Sequence, residues 1–170
     1  LAAFSAWVLL AWALRPLFRR RPSPPVVILY GHKLSGNLLA LHREMMVRPG
    51  VVCPVFLTMD PAYCDELVRH GVDACFAPGP RCVALLLSAA AVVSDHGLHP
   101  LAWMVGRSDL RFIDVWHGIP FKGFDAADFR LQRRYDEAWV ASPALADLYV
   151  RRFGFDPERV KPTGDRKSVV

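Results

Sequence analysis

Trp116-His117-Gly118-Ile119-Pro120-Phe121-Lys122-Gly123 is the stretch of this sequence best equipped for chemistry. An imidazole titrates near neutral pH, so His117 suits taking a proton from a hydroxyl nucleophile. Gly118 permits a tight turn, Pro120 stiffens the exit, and Lys122 can neutralise a phosphate as a point charge. Tyr30-Gly31-His32-Lys33-Leu34-Ser35-Gly36-Asn37 is a second candidate. Gly31 and Gly36 would let backbone amides approach an anion, close to a helix start at Asn37. It matches neither a P-loop nor a G-x-G-x-x-G fingerprint, and an ordinary strand-to-helix loop is the rival reading. Ser94-Asp95-His96-Gly97-Leu98-His99 is the third. It lacks a Glu or further ligand at supporting spacing, so Asp95 and His96 are read as polar active-site residues and no metal is expected. On spacing alone, the three stretches describe a phosphate-handling α/β enzyme and go no further.

The elements that must position these residues follow from local pattern. Val26-Val27-Ile28-Leu29-Tyr30 is a β-branched run for a strand buried on both faces. Asn37 is expected to cap a helix through Met46. Val51 to Leu57 is strand-like, with Pro54 arguing for an edge or irregular position. Asp60-Pro61 opens a helix that Gly71 stops. A short strand at Ala74–Phe76, a helix from Arg81 to Ala89 and a strand at Ala91–Ser94 follow. Arg111–Trp116 and Glu137–Ala141 are further strands, and Ser142-Pro143 begins a last helix closed by Gly154. Apolar strands alternating with helices, without hairpin signals, predict an α/β domain with a Rossmann-like, mainly parallel sheet. Ligands in such a sheet sit beyond the carboxyl ends of the strands, where all three stretches fall.

At 170 residues and 53% apolar, the chain suffices for one domain plus an appendage. Its net charge of +5 suits nucleic acid, anionic lipid or a phosphate-rich substrate, and composition does not choose among them. Cys53, Cys64, Cys75 and Cys82 form no C-x-x-C pair and sit among apolar neighbours, as buried free thiols in a reducing compartment do. Residues 1–18 are read as a membrane-anchor helix, already under way at Leu1, and residues 19–25 as a basic, proline-stiffened linker. Leu1–Leu14 falls short of the roughly twenty residues of a spanning helix; an interfacial anchor, a signal-peptide core and a buried helix are the rival readings. Residues 26–164 form the globular domain. The final Asp165-Arg166-Lys167-Ser168-Val169-Val170 is read as a non-native tail and set aside.

Trp116-His117-Gly118-Ile119-Pro120-Phe121-Lys122 resembles the W-H-G-T-P-L-K signature of the CDP-glycerol:poly(glycerophosphate) glycerophosphotransferases of teichoic-acid synthesis. The resemblance extends over about residues 26–164, through Asn37-Leu38-Leu39-Ala40-Leu41, Tyr135-Asp136 with Ser142, and Val160-Lys161-Pro162-Thr163-Gly164. Ile119 and Phe121 depart from the usual Thr and Leu, and the later P-R is absent. The resemblance implies the N-terminal, acceptor-side domain of a GT-B-like enzyme at the cytoplasmic face of the bacterial membrane. It implies His117 as general base, with Gly118, Lys122, Gly31, Asn37, Asp95 and His96 around substrate and phosphate. CDP-glycerol would be held mainly by a further C-terminal domain. A membrane-bound polyol-phosphate acceptor and an anionic membrane surface complete the implied partners, with no nucleic acid and no cofactor. A sugar-nucleotide or CDP-ribitol transferase, and a non-catalytic membrane-anchored binding module, are the alternatives.

Overall fold

A computed structural model of the chain describes residues 2–18, 22–115 and 123–164. Seven strands form one parallel sheet: β1 (Val26–Tyr30), β2 (Cys53–Thr58), β3 (Ala74–Phe76), β4 (Ala89–Ser94), β5 (Arg111–Asp114), β6 (Glu137–Val140) and β7 (Val160–Pro162). Their order is β3-β2-β1-β4-β5-β6-β7. The chain therefore builds outward from β1 first to one side and then to the other. The β1–β4 boundary is the point where strand order reverses, and such points open a crevice at the carboxyl ends.

Period-two alternation divides the core. Ile28 and Tyr30 of β1, with Val55, Leu57, Val92 and Phe112, face a layer formed by α1 (Ala2–Leu14), α4 (Arg81–Ser88) and a 3-10 turn at His99–Met104. Val27, Leu29, Phe56, Val93 and Ile113 face α2 (Gly36–Met46) and α3 (Pro61–Arg69). Phe129, Tyr149, Phe153 and Phe155 pack around α5 (Pro143–Phe153) and the outer strands β6 and β7. Caps placed by sequence are present. The Asp60 side chain accepts from Tyr63 N at 3.1 Å, Ser142 accepts from Leu145 N at 3.2 Å, and Gly154 takes a left-handed φ of 70°.

Several expectations change. Ser35, not Asn37, is the N-cap of α2, and β7 appears where no strand was expected. β5 ends at Asp114, and residues 116–122 lie outside the described residues, His117, Gly118 and Lys122 among them. β2 is an interior strand despite Pro54. Cys53 N donates to Pro25 O toward β1, while Phe56 N donates to Asp73 O toward β3, so alternate residues face opposite neighbours. Pro54 faces the β3 side before β3 begins, where its missing N–H costs no ladder bond. Cys53, at the strand's start, is exposed, whereas Cys64, Cys75 and Cys82 are buried. Burial pushes the Cys75 thiol up to about 11 and that of Cys82 to about 12.

The first helix shares the core of the domain that sequence set it ahead of. Phe4, Val8 and Ala11 of α1 are fully buried against the sheet layer, and Trp7 Nε1 donates to Pro78 O at 2.8 Å. Arg15 is buried as well: its guanidinium donates to the carbonyls of Leu86 and Ala89 and pairs with Asp109. Leu9, Leu10, Leu17 and Phe18 face outward. Among the described residues no helix is long and apolar enough to cross a membrane.

Candidate active site

Parallel pairing brings the ends of β1, β2, β4 and β5 level. Tyr30 lies beside Leu57 and Ser94, and Ser94 lies beside Asp114. The residues that follow each strand therefore meet at one edge. Gly31, directly after β1, is there because nothing larger fits: a Cβ would lie 2.7 Å from Leu38 Cδ1 and 2.9 Å from Asp95 Oδ1. Asp95, directly after β4, is buried, and its Oδ1 accepts from His96 Nδ1 at 2.7 Å. The loop is tied to itself, Ser94 Oγ donating to His96 O at 2.7 Å. Carboxylate-held imidazoles keep one tautomer and one ring orientation.

Three of the proposed site residues, Gly31, Asp95 and His96, thus cluster in the β1–β4 crevice. Asn37 serves a neighbouring position. Its Nδ2 donates to Val115 O at 3.1 Å, so the start of α2 holds the last described residue before the Trp116-His117-Gly118 segment. Asn37 and Val115, with Trp139 and Thr163, line a cavity of about 180 Å³ beyond β5, β6 and β7. A second cavity, of about 250 Å³, opens beyond β1, β2 and β4; Tyr30, Gly31, His32, Asp60, His96 and His99 are among its walls.

Sequence reasoning missed three contributors here. His32 and His99 join His96 in one aromatic cluster, with ring centroids 5.2 Å (His32–His96) and 6.1 Å (His32–His99) apart. The i,i+3 spacing of His96 and His99 signalled that pair, but only the sheet brings His32 to it. Asp114 is the third. Burial first, and the charge of Asp95 second, push its carboxyl up to about 7. An acidic residue inside an apolar strand, three residues before His117, was the available signal. Among the described residues no group of His, Cys, Asp or Glu side chains is placed to hold a metal ion.

A sequence model of the CDP-Glycerol:Poly(glycerophosphate) glycerophosphotransferases matches residues 18–165. The chain belongs to this family. No curated protein matches it. Among solved structures, the wall teichoic acid polymerase TagF, in a His-to-Asn variant soaked with CDPG, superposes with a TM-score of 0.65 at 13% identity. The match covers 91% of this chain and 42% of that one. A further structure of the wall teichoic acid polymerase TagF gives 0.63 at 14% identity, again over 91% and 42% of the two chains. A glycosyltransferase from Rickettsia africae gives 0.53 at 9% identity over 80% of this chain and 41% of the other. At such identities the likeness is one of fold: a GT-B-like parallel α/β sheet. The chain spans about two fifths of the length of the TagF chains it matches. In this glycerophosphotransferase family member, Asn37 Nδ2 holds the carbonyl of Val115, the described residue that directly precedes in sequence the stretch carrying the family resemblance.

Proposed function

We propose that this chain supplies the acceptor side of a transferase that moves glycerol phosphate from CDP-glycerol onto a membrane-linked glycerol-phosphate polymer. His117 takes the proton of the acceptor's terminal hydroxyl. The hydroxyl oxygen attacks the β-phosphorus of CDP-glycerol, the bond from that phosphorus to the oxygen bridging the two phosphates breaks, and CMP leaves with its electron pair. Lys122 neutralises charge on the transferred phosphoryl group, and the backbone at Gly118 lets the phosphate approach. Positioning and charge stabilisation are most of the task in phosphoryl transfer. Asp95 and His96, across Gly31, would contact the acceptor.

The observation that carries this reading is the family match over residues 18–165, joined to the Asn37 bond that holds Val115 at the mouth of the His117 segment. The acceptor's location is supported by the outer face of α1 and the 3-10 turn after it. Leu9, Leu10, Leu17 and Phe18 are exposed next to the sequence Arg19-Arg20-Arg21, the pairing that suits an anionic bilayer surface. At 13 residues α1 is roughly 20 Å long, less than the hydrocarbon thickness, so it would lie in the interface.

The test is turnover by the longer protein that carries this chain, given CDP-glycerol, CDP-ribitol or a sugar nucleotide with a lipid-linked glycerol-phosphate primer. Polymer growth and CMP release with CDP-glycerol support the reading. Preferential use of another donor, or none, overturns it.

A further inference from the structure

We propose that the cavity walled by His32, His96 and His99 is a subsite for one phosphodiester-linked polyol unit of the acceptor. The inference rests on the acceptor-side reading above and names how the polymer is gripped behind its reactive end. The cavity's volume, about 250 Å³, suits one small polar unit rather than a nucleotide.

Hydrogen-bond roles in its wall follow from burial. The Tyr30 hydroxyl stands 2.8 Å from His99 Nδ1, on a side chain that is 2% exposed. A buried hydroxyl proton needs an acceptor. His99 Nδ1 therefore accepts, and the His99 proton resides on Nε2, making that nitrogen a donor. His99 itself is exposed and is held at a φ of 49°, the one non-glycine residue with positive φ among the described residues. A backbone state that disfavours side chains, kept for an imidazole whose tautomer is set from below, points to a ligand above it. His32 is exposed beside both other rings, and Lys33, whose ammonium lies 3.8 Å from the Tyr63 ring centroid, also lines the cavity.

The same wall selects the charge of the ligand. Asp60 lines the cavity and Asp95 lies immediately behind His96. The two negative charges oppose a dianionic phosphate monoester, whereas a singly charged diester flanked by hydroxyls meets imidazole donors and the Asp60 carboxylate together. A glycerol phosphate polymer has that composition in every repeat.

The experiment titrates the chain with glycerophosphoglycerol, following the histidine Cε1–H resonances by NMR, with inorganic phosphate and glycerol as separate probes. The diester is expected to shift the His32 and His99 signals saturably, while the other two probes do not at equal concentration. His99→Gly removes the ring at a position whose φ glycine prefers, and His32→Ala removes an exposed side chain; each should weaken the diester by about tenfold. The amide spectrum of each variant checks that the fold is kept. Absence of a saturable shift, equal response to inorganic phosphate, or undiminished binding by either variant overturns the proposal. CDP-glycerol turnover by the longer protein without diester binding here would remove this subsite alone. Diester binding without such turnover would instead leave the subsite and remove the transfer reading.

Discussion

Gly31→Ala probes the crevice with one methyl group. Its Cβ would stand 2.7 Å from Leu38 Cδ1 and 2.9 Å from Asp95 Oδ1, both closer than carbon and oxygen normally approach. Leu38 is fully buried, and Asp95 is held by His96, so neither neighbour retreats without displacing others. Overpacking of this kind costs roughly 1–3 kcal/mol. For a chain of this length, about 2 kcal/mol corresponds to a Tm lower by roughly 4–8 °C. Gly97→Ala is the matched control: it lies in the next loop, and a Cβ there would meet nothing within 4 Å. Thermal unfolding of both variants by circular dichroism is the assay. A fall for Gly31→Ala with Gly97→Ala within a degree or so of wild type supports the packing described here. Equal Tm values for Gly31→Ala and wild type would refute the claim that β1 and β4 deliver Gly31 and Asp95 into contact.

Other predictions follow the same logic. Arg15→Ala removes a buried guanidinium and its bonds to the Leu86 and Ala89 carbonyls, so urea unfolding should show a loss of roughly 2–4 kcal/mol; no loss would detach α1 from the core. Asp114 gives a pH signature. With its folded value raised to about 7, its contribution is fully present below the ordinary carboxylate pKa near 4 and is lost as pH rises to about 7, because only the unfolded state ionises in that window. His42, whose pKa burial lowers, acts with the opposite sign, losing stability as pH falls, so the measurement compares wild type with Asp114→Asn. The variant should lack the decline between pH 4 and 7, read as Tm against pH, and an identical profile would contradict it. Leu17→Ser with Phe18→Ser should reduce flotation of the chain with phosphatidylserine vesicles several-fold without changing its Tm; equal flotation would exclude the turn that follows α1 from membrane contact.

Much of this architecture was legible locally, and the parts that were not have long-range causes. Val26–Tyr30 announced itself as a buried strand through four β-branched or aliphatic residues, and Asp60, Ser142 and Gly154 marked helix ends because capping is settled within a few residues. β7 escaped notice because three residues, one a lysine and one a proline, acquire strand geometry only by pairing with β6. Asn37 read as a cap because Asn is a good one, yet its side chain is taken by a carbonyl 78 positions away. Arg15 fell in the segment read as a membrane anchor, and only the fold supplies the Leu86 and Ala89 carbonyls and the Asp109 carboxylate that meet its guanidinium. In the site, each polar stretch was identified by its place after a strand. Grouping Gly31 with Asp95, and His32 with His96 and His99, required the strand order β2-β1-β4, which periodicity does not encode.

The central claim concerns His117, and single-turnover release of CMP tests it most directly. The longer protein, saturated with CDP-glycerol and a lipid-linked glycerol-phosphate primer, is compared with its His117→Ala variant across pH 5.5 to 9. Loss of a general base predicts a rate lower by roughly 10²–10⁴-fold, together with loss of the rising limb of the pH profile that reports imidazole deprotonation. An undiminished rate with that limb intact would show that another group takes the acceptor's proton.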